Sequence, residues 1–221
     1  MNFLGPVWVF FLKLFNDACR ALPSQQAISR MGRLLGGLTY FLQRKRRQVA
    51  LNNLEMILGD RVSDRQRRTI ARQSFDSVAT TSFEMFWQPE RHGIEFDQWA
   101  RVEGLEHLQA AHAKDKGVII ACPHIGNWGV LGRALISHGY QMEGLMRPSS
   151  IPAVRAHIAA ELGRIGITPT NTPLPPDGFK KIMERLAKGA AFLFVADRRV
   201  SDYLIDFLGH PAWTAHGAAT M

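Results

Sequence analysis

Residues 117–132, Gly-Val-Ile-Ile-Ala-Cys-Pro-His-Ile-Gly-Asn-Trp-Gly-Val-Leu-Gly, constrain the fold more than any other stretch of this chain. Val118–Cys122 is a short unbroken apolar run, the pattern of a strand covered on both faces. Pro123 has no N–H to give a sheet ladder, so the strand is expected to stop there. His124 then lies just past the strand's carboxyl end. Gly126 and Asn127 supply a turn and a helix cap. The spacing of Val130, Leu131, Ala134 and Leu135 predicts a helix from about Trp128 with those residues inward. An imidazole between a strand end and a helix N-terminus sits where open α/β sheets place their chemistry. His124 is therefore the first candidate catalytic residue, against the alternative of an ordinary polar loop side chain.

The same alternation continues downstream. Residues 140–146, 167–170 and 191–196 read as strands, with helices over 151–164 and 177–188 between them. Residues 203–207 read as one more strand, before a helix start near Thr214. A short helix over 104–113 precedes the first strand. Strands alternating with helices of about a dozen residues predict an α/β fold with a mainly parallel sheet and right-handed crossovers. Asp197, Arg198 and Arg199 follow the strand over 191–196. No internal repeat or long linker interrupts the pattern.

The first hundred residues differ in kind. The chain carries a net charge of +8, and its distribution matters more than its size. Residues 1–72 hold 13 Lys and Arg against 4 Asp and Glu, and residues 73–221 hold 14 against 15. The apolar run Phe3–Phe15 contains Lys13 and is shorter than the roughly 20 residues of a bilayer span. Its cations follow it, the reverse of a signal peptide. It is read as a membrane-seated helix with a basic cytoplasmic flank; the alternative is a core helix. Residues 24–42 place Ile28, Met31, Leu34, Leu35, Leu38, Phe41 and Leu42 at helical spacing, while Gly32, Gly36 and Gly37 allow close packing. Arg44-Lys45-Arg46-Arg47 is either a solvated face or a contact for anionic headgroups, and a short helix carrying Val49, Leu51, Leu54 and Ile57 follows. Ser63 with Gln66 resembles a capping box. It opens a helix to about Phe86 whose inner face is expected to hold Ile70, Phe75, Val78, Phe83 and Phe86. Three segments result: residues 1–22, a basic helical region over 23–103, and an α/β domain over 104–221. The two cysteines, Cys19 and Cys122, suggest no disulfide framework and a reducing compartment.

With these residues in view, a resemblance becomes specific. The chain is similar to the bacterial late acyltransferases of lipid A biosynthesis, a family that also includes phosphatidylinositol-mannoside acyltransferases. Arg46-Arg47 with Asn53-Leu54, Pro123-His124-Ile125-Gly126-Asn127-Trp128, Arg147-Pro148, Ala196-Asp197-Arg198 and Phe207-x-Gly209-x-Pro211-x-x-Thr214-x-x-Gly217 resemble its successive blocks in order. The resemblance implies a glycerolipid-acyltransferase-like sheet flanked by helices, and further strands and helices beyond residue 221. It also implies transfer of a fatty acyl group from an acyl carrier protein or acyl-CoA thioester to a hydroxyl of a membrane glycolipid. No cofactor or metal is implied.

That chemistry gives the residues roles. A hydroxyl needs a positioned base, and His124 is expected to be it. A carboxylate normally fixes such an imidazole, and N–H groups at the following helix N-terminus stabilise an oxyanion. The family's pattern is His, four residues, then Asp or Glu; position 129 is Gly. The chain is therefore expected to be weakly active or inactive, with Gly129→Glu a mild change that raises transfer. Glu143 and Asp197 are the other carboxylates near strand ends; each is read first as structural, the alternative being that one of them reaches His124. Asn127 is expected to support the loop and substrate, and Arg147 and Arg198 to contact substrate phosphate. Cys122 as a thioester-holding nucleophile is the weaker alternative to a buried structural thiol.

The expected setting is the cytoplasmic face of an inner membrane, with an anionic membrane surface as partner. A non-catalytic relative that binds acylated lipid or scaffolds a partner is the second reading. A nucleic-acid binder is disfavoured by the apolar N-terminus and the lack of an aromatic-basic RNA motif.

Overall fold

The structure, a computed structural model, describes residues 4–114, 116–195, 197 and 203–214. Contacts divide the chain into two units, one of Phe15–Gly93 and one of Met1–Leu14 with Ile94–Met221.

The helical unit holds the end of α1 (Leu4–Ala21), α2 (Gln25–Leu42), α3 (Arg44–Leu58) and α4 (Asp64–Phe86). Its caps are legible residue by residue. Ser24 Oγ accepts the Ala27 N–H and starts α2, and Ser63 with Gln66 closes the expected capping box on α4. The four cations open α3 instead of preceding it. Arg47 donates to the Tyr40 carbonyl at 3.1 Å and stacks over its ring, fixing the α2–α3 corner. Trp87 closes the unit from beneath, fully buried, its indole N–H bonded to the Leu22 carbonyl at 2.8 Å. Phe15 packs on Phe83, and Cys19 is sealed in, its thiol pushed up to about 12 by burial.

Here the structure reverses one expectation. α2 meets α4 through Ile28, Gly32 and Gly36, not through its bulky stripe. A Cβ on Gly36 would lie 2.3 Å from Asp76 Oδ1 and 2.5 Å from its Cα, so only glycine permits this approach. Leu34, Leu38, Phe41 and Leu42 are left 52–71% exposed. In α4 the small residues Ala71 and Ala79 go inward with Phe83, whereas Val78 is 69% exposed and Ile70 37%. Backbone closeness at glycine and alanine has replaced side-chain interdigitation, which apolar periodicity alone cannot reveal.

The other unit is the α/β domain. A short helix, α5 (Phe96–Trp99), and α6 (Leu105–His112) lead into a four-stranded sheet of β1 (Val118–Cys122), β2 (Met142–Met146), β3 (Ile167–Asn171) and β4 (Ala191–Val195). All three pairings are parallel, and the order is β1-β4-β2-β3. The crossover helices are α7 (Trp128–Ser137), α8 (Pro152–Arg164) and α9 (Gly178–Leu186). Leu135 of α7 and Leu162 of α8 pack with Met142, Ile167, Ala191 and Leu193 on one face. Ile182 and Leu186 of α9 pack with Phe192 on the other. Adjacent β4 residues thus serve opposite cores, as strand alternation requires.

β1 sends Ile120 and Cys122 to one core and Ile119 to the other, so both its faces are packed as expected, but it lies at the sheet edge: among the described residues it pairs only with β4, and Ala121 is exposed. The expected helix near Thr214 gives way, as far as residue 214, to an antiparallel hairpin of β5 (Tyr203–Phe207) and β6 (His210–Thr214). Leu208 and Gly209 form its turn, both with positive φ. The stretch after 214 lies outside the described residues. Among the described residues, no helix is long and apolar enough to cross a membrane.

Candidate active site

The site grows from the carboxyl edge of the sheet. Pro123 ends β1 as expected, and the chain turns through Ile125 and Gly126, which adopts φ +67°, before α7 begins. Asn127 is the N-cap of α7; its Oδ1 accepts the Val130 N–H at 3.1 Å. This cap holds the loop against the helix and aims the first N–H groups of α7 at the space beyond the strand ends.

Strand order decides what His124 meets. β4 lies directly beside β1, with Cys122 opposite Val195. Asp197, two residues beyond Val195, therefore emerges next to His124 although 73 positions separate them in sequence. Asp197 Oδ1 accepts from His124 Nδ1 at 2.6 Å, and Oδ2 accepts the His124 main-chain N–H at 2.8 Å. The carboxylate grips ring and backbone of one residue together, fixing both the loop and the tautomer. With Nδ1 donating, Nε2 is the free lone pair, and it has no partner among the described residues.

The electrostatics agree. Partial burial acts to raise the Asp197 carboxyl, but the hydrogen bonds and charge of His124 outweigh it and hold it below the usual carboxylate range. The pair is reachable from solvent, with side-chain exposures of 49% for His124 and 41% for Asp197. Asp197 is thus the strand-end acid that reaches His124.

Glu143 behaves differently. It is buried, and its carboxylate meets Arg185 Nη2 at 3.1 Å and the Thr170 hydroxyl at 3.3 Å. Burial pushes its carboxyl up, and Arg185 and Thr170 only partly oppose this. Its partners tie β2, β3 and α9 together, and it does not bond His124.

Cys122 has its thiol pushed up by burial and by the Asp197 charge, so it is held protonated and is a poor nucleophile. Arg147 follows β2 at the same edge of the sheet and is exposed. Arg198 lies outside the described residues. Gly129 is buried in the first turn of α7. Arg133, one turn further on, is also buried, its guanidinium 4.6 Å from the centre of the Phe96 ring.

The sequence pointed to His124 and its cap, and offered Asp197 only as one of two strand-end acids that could reach the imidazole; its place just past a strand's carboxyl end and its family-like block were the signals, and the structure selects it over Glu143.

The chain is 29% identical over 125 residues to a phosphatidylinositol mannoside acyltransferase of Mycobacterium tuberculosis, a match covering 54% of this chain and 39% of that protein. It is also 29% identical over 101 residues to the lipid A biosynthesis lauroyltransferase of Escherichia coli K12, covering 44% of this chain and 31% of that one. The chain therefore matches less than half the length of each of these relatives. The profile described as bacterial lipid A biosynthesis acyltransferase spans residues 4–221, and the chain belongs to that family.

Proposed function

We propose that this protein transfers a fatty acyl group from an acyl thioester to a hydroxyl of a membrane glycolipid, with His124 as general base and Asp197 as its orienting acid. One observation carries the reading: the two-point grip of Asp197 on His124 at 2.6 and 2.8 Å, beside a capped helix N-terminus. Nε2 of His124 takes the proton of the acceptor hydroxyl while its oxygen attacks the thioester carbonyl. The carbonyl oxygen becomes an oxyanion facing the first N–H groups of α7. The tetrahedral intermediate collapses with loss of the thiolate, which takes the proton from the imidazolium. Asp197 stabilises that imidazolium and keeps the ring in place.

Family membership supports acyl transfer to a glycolipid. The two relatives, a phosphatidylinositol mannoside acyltransferase and a lipid A biosynthesis lauroyltransferase, support an acidic glycolipid acceptor. Arg147, exposed at the same sheet edge, suits a phosphate of such an acceptor. The donor is an acyl carrier protein or acyl-CoA. The surplus of cations in residues 1–72, and Trp8, Phe10 and Phe11 of α1 at 54–62% exposure, support a seat on the anionic cytoplasmic face of the inner membrane. A catalytically impaired relative that binds acylated lipid is favoured by Gly129 alone, and Asp197 removes most of its force.

The test is radiolabelled acyl transfer to glycolipid acceptors from both donor types. His124→Ala should cost roughly 10²–10⁴ in rate with the fold intact and at most a small fall in melting temperature, since His124 is half-exposed in a loop. Transfer that survives this change nearly intact would remove His124 from the role.

A further inference from the structure

The outward stripe of α2 has no use in the fold. Met31, Leu34, Leu38, Phe41 and Leu42 recur along one side of the helix at 40–71% exposure. Over the twelve residues from Met31 to Leu42 the stripe runs about 17 Å. Its opposite side is committed to α4 through Ile28, Gly32 and Gly36. Cations ring the stripe. Arg30 and Arg33 lie along α2, and Arg44, Lys45 and Arg46 follow within four residues of Leu42. All five side chains are exposed, and none takes part in an ion pair among the described residues.

We propose that this face of α2, with the cations that open α3, is a membrane-docking surface for anionic lipid, independent of α1. Bulky apolar side chains enter the acyl–headgroup boundary, while the arginine and lysine heads stay at headgroup level. The glycine contacts decide between a bilayer and a protein partner. A protein that captures an amphipathic helix does so in a groove gripping both flanks. Here the α4 backbone lies directly behind α2, so the outer side is what α2 offers, and a planar lipid surface needs no more than that. The inference sharpens the membrane partner of the proposed function and leaves its chemistry untouched.

The experiment is flotation of the full chain with vesicles of phosphatidylcholine alone or with roughly one-third phosphatidylglycerol, at about 0.1 M and about 0.5 M salt. The native chain should prefer the anionic vesicles, more so at low salt. Leu34→Glu with Phe41→Glu should lower partition at least tenfold, and neutralising Arg44, Lys45 and Arg46 to Gln about fivefold per cation. A Trp8→Gln, Phe11→Gln variant of α1 should keep the anionic preference. All these positions are exposed, and circular dichroism checks that the variants fold.

The proposal is overturned if the α2 variant floats as the native chain does, or if the α1 variant alone abolishes flotation. It also falls if the native chain ignores both vesicles yet binds an acidic acyl carrier protein through these residues. Transfer to a detergent-dispersed glycolipid separates the two readings. It should be unchanged in the α2 variant, and its absence from the native chain would sink the catalytic reading while leaving the flotation result standing.

Discussion

Asp197→Asn is the sharpest perturbation of the site, because the amide keeps the shape and removes half of the acceptor capacity. The native carboxylate satisfies two donors at once, ring Nδ1–H at 2.6 Å and main-chain N–H at 2.8 Å. Asparagine has one acceptor oxygen and one donor nitrogen. If its oxygen keeps Nδ1–H, its NH₂ faces the main-chain N–H, donor against donor, and the loop is pushed away. If its oxygen keeps the main-chain N–H, its NH₂ donates to Nδ1 and the proton moves to Nε2, the atom that must act as base. Either arrangement disables His124. In a serine-protease triad the same change lowers turnover by about 10⁴ through the wrong tautomer. Here both partners are 41–49% exposed and water competes for each bond, so a loss of about 10²–10³ is expected. The assay is initial-rate acyl transfer across pH, alongside thermal unfolding. The Asp197 carboxyl is held below its ordinary value, so its share of stability is present above the ordinary carboxylate pKa, near 3.9. It is lost only as pH falls through the lower folded value. Activity lost above about pH 5 in the native chain therefore belongs to other groups. A folded Asp197→Asn protein working within threefold of native would refute the tautomer argument.

Two further outcomes test the scaffold. Gly36→Ala should destabilise by about 1–3 kcal/mol, despite alanine's better helix propensity, because its Cβ meets Asp76 backbone at 2.5 Å; an unchanged or raised melting temperature would mean that α2 and α4 are not packed through this glycine. Glu143→Gln should leave transfer unchanged and stability within about 1 kcal/mol, since the amide can still bond Thr170 and Arg185. Glu143→Ala should cost about 1–3 kcal/mol by stranding Arg185. Because burial raises the Glu143 carboxyl, its contribution weakens as pH rises toward and through that folded value, and Glu143→Gln should flatten this dependence in urea melts.

What could be read in advance follows from the range of the interactions. Local devices were legible: the Ser63–Gln66 box, the Asn127 cap and the end of β1 at Pro123 all act within four residues. The parallel α/β alternation was legible because burial on both faces leaves short unbroken apolar runs, spaced by helix-length segments. Long-range neighbours were not. Nothing in residues 191–197 announces that β4 inserts between β1 and β2, yet that insertion alone brings Asp197 to His124. The direction of the α2 stripe was hidden for a related reason. Apolar periodicity marks a face without saying what covers it, and here close glycine packing claimed the other side.

Position 129 then takes on a different meaning. The family-like pattern places a carboxylate five positions after His124, with four residues between, and this chain has Gly there, buried in the first turn of α7. A glutamate at 129 would gain about 0.3–1 kcal/mol from the helix N-terminus and a similar amount in helix propensity. It would also place an acid in a buried position, at a cost of about 1–3 kcal/mol, so the change is not the mild one its place in the helix suggests. It would stand near a second carboxylate that already holds the imidazole, and two like charges raise the pKa of one of them. Gly129→Glu should therefore leave the native rate unchanged or lower it by up to about tenfold. In the Asp197→Asn background the same glutamate has no rival, and it should recover at least about tenfold of the lost rate. Four proteins, native, both singles and the double, complete the cycle, with transfer rate and melting temperature read on each. A strong gain from Gly129→Glu in the native background would mean that Asp197 does not orient His124. A folded double variant without recovery would mean that position 129 cannot reach the ring, and that Asp197 is not standing in for a carboxylate at that position.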